Sequence, residues 1–374
     1  MTLYIFNPEH DYALAHNDEH FMALQSAVQF ANDCAPFLRY VADDEEQSLF
    51  LPYSAPLPDL SGFHPAHVVP WGWDKLVTHQ LRNAGLSDEH LPTPEQLDNI
   101  RTLAHRKTSI TAMDFLRAHC TDVEIPRSAQ LLTEIEQVEQ FIKDNRDAIF
   151  KSPYSGNGRG NLYAHGVFSP TLERQCRGVL RRQGSILAEP LYNIVQDFAM
   201  EFECRDNNVR FAGYSLFETK YYGYAGNRLC SDKEIEDTLS QWIAASTLSK
   251  IKDALIQFIQ ENIEPHYRGF LGVDMFVYQD SEKFKLNPMV EINLRMTMGM
   301  AAHTLYERYM HPQSTGSMRI EFRPDGLGEH VQSLPEMQYR DGKWFDGGLC
   351  LTPVTDKTQY AVIVTATPDK GAPC

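Results

Sequence analysis

Apolar and polar positions over residues 1–123 switch between two periods. Short apolar runs at residues 3–6 and 67–69 read as strands. Residues 97–120 carry Ile100, Leu103, Thr111, Phe115 and Leu116 between charged positions and read as one helical segment. Strands alternating with helices predict an open α/β lobe. From Glu124 the texture changes. EIPRSAQLL leads into a polar helix at 134–145, a strand at 148–150, a glycine-rich turn, a helix at 172–183 and an apolar run at 185–188. That pattern predicts a compact α+β unit over residues 124–190. Residues 191–374 then predict strands at 198–204 and 209–217, a long helix and a hairpin at 270–293. The long helix places Leu248, Ile251, Leu255, Phe258 and Ile259 three and four apart, a core-facing stripe. MRIEF and TQYAVIVTAT read as antiparallel strands with no chemistry attached.

With 374 residues the chain exceeds a single hydrophobic core, which fits the three units. No stretch approaches the ~20 apolar residues of a membrane-spanning helix. MTLYIFNPEHDY lacks the basic start and apolar run of a secretion signal, so a cytoplasmic protein is expected. The net charge of −16 argues against nucleic acid and anionic membranes as partners, though lysines can still gather around a small anion. The seven cysteines contain no CxxC pair and read as reduced thiols. The expected partners are small-molecule substrates, and a homodimer is compatible with the reading.

AIFKSPYSGNGRG is the first segment with chemistry in it. A strand ends at Lys151 and runs into Gly156, Gly158 and Gly160, with Ser155 and Asn157 between. Alternate glycines let backbone N–H groups approach phosphate oxygens, and a strand-end lysine adds a point charge. The segment matches neither GxxxxGK[ST] nor the dinucleotide fingerprint, and taken alone it also fits a plain flexible hairpin. The hairpin GFLGVDMFVYQDSEKFKLNPMVEINLR adds a second signal. A turn at residues 282–283 sets Asp274 opposite Glu291, ~5 Å apart at Cβ. Asn293 shares the Glu291 face, and Arg295 continues it. Two carboxylates and an amide oxygen make a hard, all-oxygen half-shell suited to Mg²⁺, and facing acids in an otherwise apolar sheet need such a partner. Arg295 in that phase reaches a terminal phosphate.

The two segments, in this order and separation, resemble the ATP-grasp superfamily, which includes D-alanine–D-alanine ligase, biotin carboxylase and purine-biosynthesis ligases. The match runs from Lys107 to Gly299 and is strongest in KSPYSGNGRG, ILAEPL and GVDMF…VEINLR. The resemblance implies an ATP-grasp fold: the N-terminal α/β lobe, a central lobe over 124–190 and a C-terminal lobe over 191–374, the last two clamping ATP. It implies ATP and Mg²⁺ (or Mn²⁺) as cofactors, with Lys107 and Lys151 as the two ATP lysines and Gly156, Gly158 and Gly160 as the phosphate loop, together with Ser155. Glu189 falls at the adenine hinge. Asp197 falls at the ribose acid, with Gln196 or Glu201 as alternative registers. Lys220 in FETKYYGY falls on a phosphate-contacting lysine, while Asp274, Glu291 and Asn293 fall on the metal ligands. Arg295 falls on the arginine of the ExNxR variant; it and Lys220 are the candidate catalytic cations. Gly272 stands where D-alanine ligases carry arginine, and Leu294–Met296 replace their small-residue segment, so the dipeptide product is not implied.

The turn FNPEHDYALAHNDEH gathers Glu9, His10, Asp11, His16, Asp18, Glu19 and His20. Glu9, His10 and Asp11 are candidates for touching substrate, since loops at strand ends line the crevice of open α/β lobes. The competing reading is helix capping, with Asn7 as cap and Pro8 at the first helical position. No HExxH spacing suggests zinc there. Trp71 and Trp73 in VVPWGWDK read as lobe packing. The function implied is a ligase that activates a carboxylate as an acyl phosphate and joins it to an amine. The alternatives are a phosphotransferase acting on a hydroxylated acceptor and a non-catalytic nucleotide-binding protein.

Overall fold

A computed structural model of the chain describes residues 1–51, 57–156, 160–220 and 223–369, with the backbone alone at Lys220. Gly158, Asn157 and Arg159 of the glycine-rich turn lie outside the described residues. The N-terminal lobe runs β1 (Thr2–Ile5), α1 (His10–His16), α2 (Gln25–Cys34), α3 (Leu38–Val41), β2 (Ser48–Leu51), β3 (His67–Pro70) and α4 (Lys75–Asn83). Its strands pair in parallel in the order β2-β1-β3, over a core of Leu3, Ile5, Leu51, Val77 and Leu81. The helix expected over 97–120 is broken into α5 (Pro94–Ala104) and α6 (Lys107–His119). His105 takes an extended backbone, φ −66° and ψ 132°, and the Arg106 N–H donates to Pro153 O at 3.2 Å instead of continuing the helix. The tertiary bond outweighs helical continuity. Beyond the break, α6 buries Ala112, Met113 and Leu116 in the core of the C-terminal lobe.

The central segment runs through β4 (Gln130–Leu132), α7 (Ile135–Asn145), β5 (Asp147–Lys151), β6 (Leu162–His165), α8 (Pro170–Gln183) and β7 (Ile186–Pro190). Its antiparallel sheet has the order β4-β7-β5-β6 and closes on Val138, Phe150, Cys176 and Ile186. The C-terminal lobe comprises β8 (Asn193–Arg205), β9 (Asn208–Lys220), β10 (Gly223–Leu229), α9 (Asp232–Leu239), α10 (Ala245–Asn262), β11 (Gly269–Asp280), β12 (Lys283–Asn293), α11 (Met298–Tyr309), β13 (Ser314–Phe322), α12 (Leu327–Gln332), β14 (Gln338–Arg340), β15 (Lys343–Cys350) and β16 (Tyr360–Pro368). Among the described residues these strands make one antiparallel sheet, β12-β11-β8-β9-β10-β13-β16-β15-β14. The closing strands thus extend the main sheet through β10–β13 pairing. The apolar stripe of α10 is buried against this sheet. The described cysteines are free thiols, and no helix among the described residues is long and apolar enough to cross a membrane.

The hairpin reaches the expected register by an unexpected route. Asp280 pairs with Lys283, so the turn is Ser281–Glu282, with Ser281 at φ 58°. One residue of β11, Met275, then faces three of β12: Pro288, Met289 and Val290. Pro288 has no N–H for the ladder, and the Met289 N–H donates to Asn287 Oδ1 at 3.2 Å, which turns the strand outward as a bulge. Past it, Asp274 faces Glu291 and Gly272 faces Asn293. On the other edge of β11, Asp274 pairs with Ala199 and Gly272 with Glu201. Gly272 therefore opens a slot between Asn293 and Glu201; a Cβ there would lie 2.8 Å from Glu201 Oε2.

Helix α11 closes that slot from above through Gly299, whose added Cβ would lie 2.1 Å from Glu201 Oε1 and 2.6 Å from Ser215 Oγ. Helix propensity favours Gly299→Ala by ~1 kcal/mol, whereas overpacking a buried contact costs ~1–3 kcal/mol. The contact is expected to win: urea denaturation of Gly299→Ala should show a lowered midpoint, and a raised midpoint would refute this packing.

Candidate active site

The site is built where four chain segments converge: the start of α1, the break before α6, the turn after β5 and the inner half of the β11–β12 hairpin. His10, Asp11, Arg106, Tyr154, Ser155, Glu291 and Asn293 line one small cleft between the lobes. Glu291 lines it, and Asp274 faces Glu291 across the β11–β12 ladder. Burial and the Glu291 carboxylate opposite hold the Asp274 carboxyl well above its ordinary range. Burial also pushes Glu291 up, but the charges of Arg106 and Lys151 outweigh it and hold Glu291 below its usual value. The protein's own cations therefore stabilise one charge of the pair and leave the other suppressed. A hard divalent cation relieves both penalties at once, and two carboxylates with the Asn293 amide form the oxygen donor set it takes. The residues present fit Mg²⁺.

Arg106 is the residue that sequence reasoning missed. Its side chain is 6% exposed and its guanidinium hydrogen-bonds the Glu291 carboxylate. The same group donates to Ser152 O and Ser155 Oγ, both at 2.6 Å, and to Ser155 O at 3.1 Å. One side chain thus pins the phosphate-loop candidate to the metal-site candidate. Lys107, the expected first ATP lysine, is exposed on the first residue of α6, and the buried cation is its neighbour. The pair Arg106–Lys107 at a helix start was visible; which of the two turns inward depends on the helix break, which periodicity does not report.

Lys151, buried at the end of β5, meets Glu189 in a bidentate ion pair at 2.9 and 3.0 Å. Asp197 accepts from Thr219 Oγ1 at 2.9 Å, and burial raises its carboxyl above the usual range. Of the alternative registers, Gln196 donates to the Asp197 carbonyl at 2.7 Å, and Glu201 is enclosed at 1% exposure behind Thr297, whose hydroxyl donates to Glu201 Oε2 at 2.8 Å. Lys220 sits on β9 beside Thr219, with its side chain outside the described residues.

Arg295 turns from Asn293 Oδ1, at 3.1 Å, to Asp11 Oδ2, also at 3.1 Å. Burial alone would raise the Asp11 carboxyl, but Arg295 and His10 hold it below its ordinary value. A Cβ on Gly156 would come within 2.5 Å of Asp11 Oδ2, so the glycine admits this approach. His10 is buried, with Nδ1 3.0 Å from Asp74 Oδ2, while Asp74 caps α4 by accepting from the Val77 N–H at 2.9 Å. Glu9 is buried beside it. The capping expectation for Asn7 is corrected: α1 starts at His10 with Glu9 before it, and Asn7 Nδ2 instead donates to Gly72 O and Asp74 Oδ2. Trp71 packs edge-on against Phe6 and Phe37, as lobe packing requires.

Glu201 gives a pH test. Burial raises its carboxyl to about 7, with the Thr297 hydrogen bond opposing. The native state then keeps a proton that the unfolded chain has lost, so stability is greatest below the unfolded value and falls as pH rises through about 7. The loss amounts to a few kcal/mol at most, at ~1.4 kcal/mol per unit. Denaturant midpoints of the wild type should fall between pH 5 and 8 more steeply than those of Glu201→Gln; parallel curves would contradict the assignment.

No protein-family model matches the chain, and no curated protein matches it. Solved structures do. Biotin carboxylase from Campylobacter jejuni, solved as a beta-gamma-ATP complex, superposes with a TM-score of 0.51 at 11% identity, over 82% of this chain and 72% of that one. N5-carboxyaminoimidazole synthetase from Staphylococcus aureus superposes with a TM-score of 0.51 at 13% identity, over 98% and 94% of the two chains. Its ADP complex gives 0.50 at 14% identity, over 98% and 93%. With both neighbours in the superfamily that the motifs resemble, the chain has the ATP-grasp fold.

Proposed function

We propose that the chain is a Mg-ATP-dependent ligase that converts a small-molecule carboxylate into an acyl phosphate and joins it to an amine. The observation that carries the reading is the facing pair Asp274–Glu291 with Arg106, Lys151 and Arg295 around it. Asp274, Glu291 and Asn293 would hold Mg²⁺, with Mn²⁺ fitting the same donors. The ion, when bound, orients the β- and γ-phosphate oxygens and neutralises their charge. Lys151 exchanges its Glu189 partner for the α- and β-phosphates, and Glu189 with its backbone turns to the adenine amino group. Asp197 holds the ribose. Ser155, Gly156, Gly158 and Gly160 cover the phosphates, with Arg106 and Lys220 adding charge.

Chemistry then depends on positioning and electrostatics. An oxygen of the substrate carboxylate attacks the γ-phosphorus and ADP leaves. The amine nitrogen attacks the acyl carbon, a base takes its proton and inorganic phosphate departs. Arg295 stabilises the moving phosphoryl group while Asp11 holds Arg295 in place. Glu9, His10 and Asp11 are the substrate-contact candidates, of which His10 and Asp11 line the cleft.

An ADP-release screen over amino acids, peptides and polyamines should find turnover that needs both a carboxylate and an amine, and hydroxylamine should trap the acyl phosphate. A stable phosphorylated acceptor without phosphate release would replace the ligase with a kinase. Asp274→Asn should lower turnover at least ~100-fold with an unchanged circular dichroism spectrum, the scale of a lost electrostatic contact to the reacting group; full activity would sink the metal assignment.

A further inference from the structure

The N-terminal lobe carries a second convergence of ligating groups, none of which lines the cleft. His64 lies on the connection leading to β3, and Glu89 and His90 lie on the single helical turn Asp88–His90 between α4 and α5. Both connections are anchored. Leu60, Leu86 and Leu91 are buried in the lobe core, the Leu60 N–H donates to Ala84 O at 2.6 Å, and the Leu91 N–H donates to Asp88 O at 3.1 Å.

Glu89 Oε1 sits 3.4 Å from His90 Nε2 and 3.7 Å from His64 Nδ1, and the three donor atoms all lie within 4.8 Å of one another. Bonds of ~2.0–2.2 Å to a tetrahedral ion put neighbouring donor atoms ~3.3–3.6 Å apart, which the two distances to Glu89 already approach, while the exposed His64 side chain can turn inward to close the third. His90 Nε2 is shielded from solvent and has no hydrogen-bond partner. A solvent-shielded ring nitrogen 3.4 Å from a carboxylate oxygen but not hydrogen-bonded to it calls for a third party. We propose that His64, Glu89 and His90 form a site for a borderline divalent cation of the Zn²⁺ class. Two imidazoles select that class over Mg²⁺, which keeps to oxygen donors, so this site and the hairpin carboxylates sort two different metals. His64 and Glu89 are 70% and 64% exposed, which leaves the fourth coordination position open to water. Occupancy would staple the segment before β3 to the link between α4 and α5.

Another set of the same composition supplies the control. In Glu19, His20 and His79 the ion-pair distances are 3.7 and 3.9 Å, and His79 Nε2 is already in a hydrogen bond to Asn83 at 2.7 Å. Calorimetric titration of the chelator-stripped full chain with Zn²⁺, in excess Mg²⁺, should show one tight ion per chain. Co²⁺ should give the visible absorption of nitrogen and oxygen ligation without thiolate charge transfer. His64→Ala and Glu89→Gln, both at exposed side chains, should each weaken Zn²⁺ binding by about 100-fold or more, above the ~10–100-fold of an outer-shell loss. His79→Ala should leave it unchanged. Absence of tight Zn²⁺ binding, binding insensitive to His64→Ala and Glu89→Gln, loss on His79→Ala, or a thiolate spectrum would overturn the proposal.

Discussion

Two carboxylates facing each other across adjacent strands cannot both stay charged in a half-dry cleft without cations beside them. Asp274 and Glu291 impose that requirement on the rest of the molecule. Lys151 is delivered from the central lobe at the end of β5, and Arg106 from the break between α5 and α6. Arg295 is held from the N-terminal lobe through Asp11. Arg106, Lys151 and Arg295 thus bring one cation each from the N-terminal, central and C-terminal parts of the chain to the charge balance of a single pair. The helix break, the Gly156 approach and the Gly272 slot are local costs that make the convergence possible.

The same convergence explains why the lobes are not independent blocks. Helix α6 packs its apolar face on the C-terminal sheet, and Phe6, Phe37 and Trp71 share a core with α11 and β16. A buried interface of that kind fixes Asp11 relative to Arg295 and Arg106 relative to Glu291. The Lys151–Glu189 pair lies in the central lobe, whose core is separate. Breaking one partner of a buried pair leaves an uncompensated charge, so Lys151 retains Glu189 until another anion is offered.

Much of this was legible in the residues because strand and helix periods are local. The α10 stripe and the face shared by Glu291 and Asn293 follow from spacing alone. Asp274 opposite Glu291 was also expected, but two differences cancelled. The turn falls one position early, and the Pro288 bulge restores the register. What stayed hidden was tertiary. Lys107 was the expected phosphate cation and Arg106 is the buried one, because the Pro153 carbonyl ends the helix before it. Asn7 reads as a cap from its neighbours but spends its amide on Gly72 and Asp74, 65 and 67 residues away. Glu201 is inconspicuous in its strand; only the alignment of Gly272, Gly299 and Ser215 around it reveals an enclosed acid.

The hairpin acids are the proposed seat of a nucleotide-bound cation. Electron paramagnetic resonance of Mn²⁺ measures this directly, since free and bound ion are distinguished without any substrate. The wild type should bind Mn²⁺ weakly alone and tightly with ATP, and Glu291→Gln should abolish the ATP-dependent gain while keeping the native fold. Equal Mn²⁺–ATP binding in the wild type and Glu291→Gln would contradict the account.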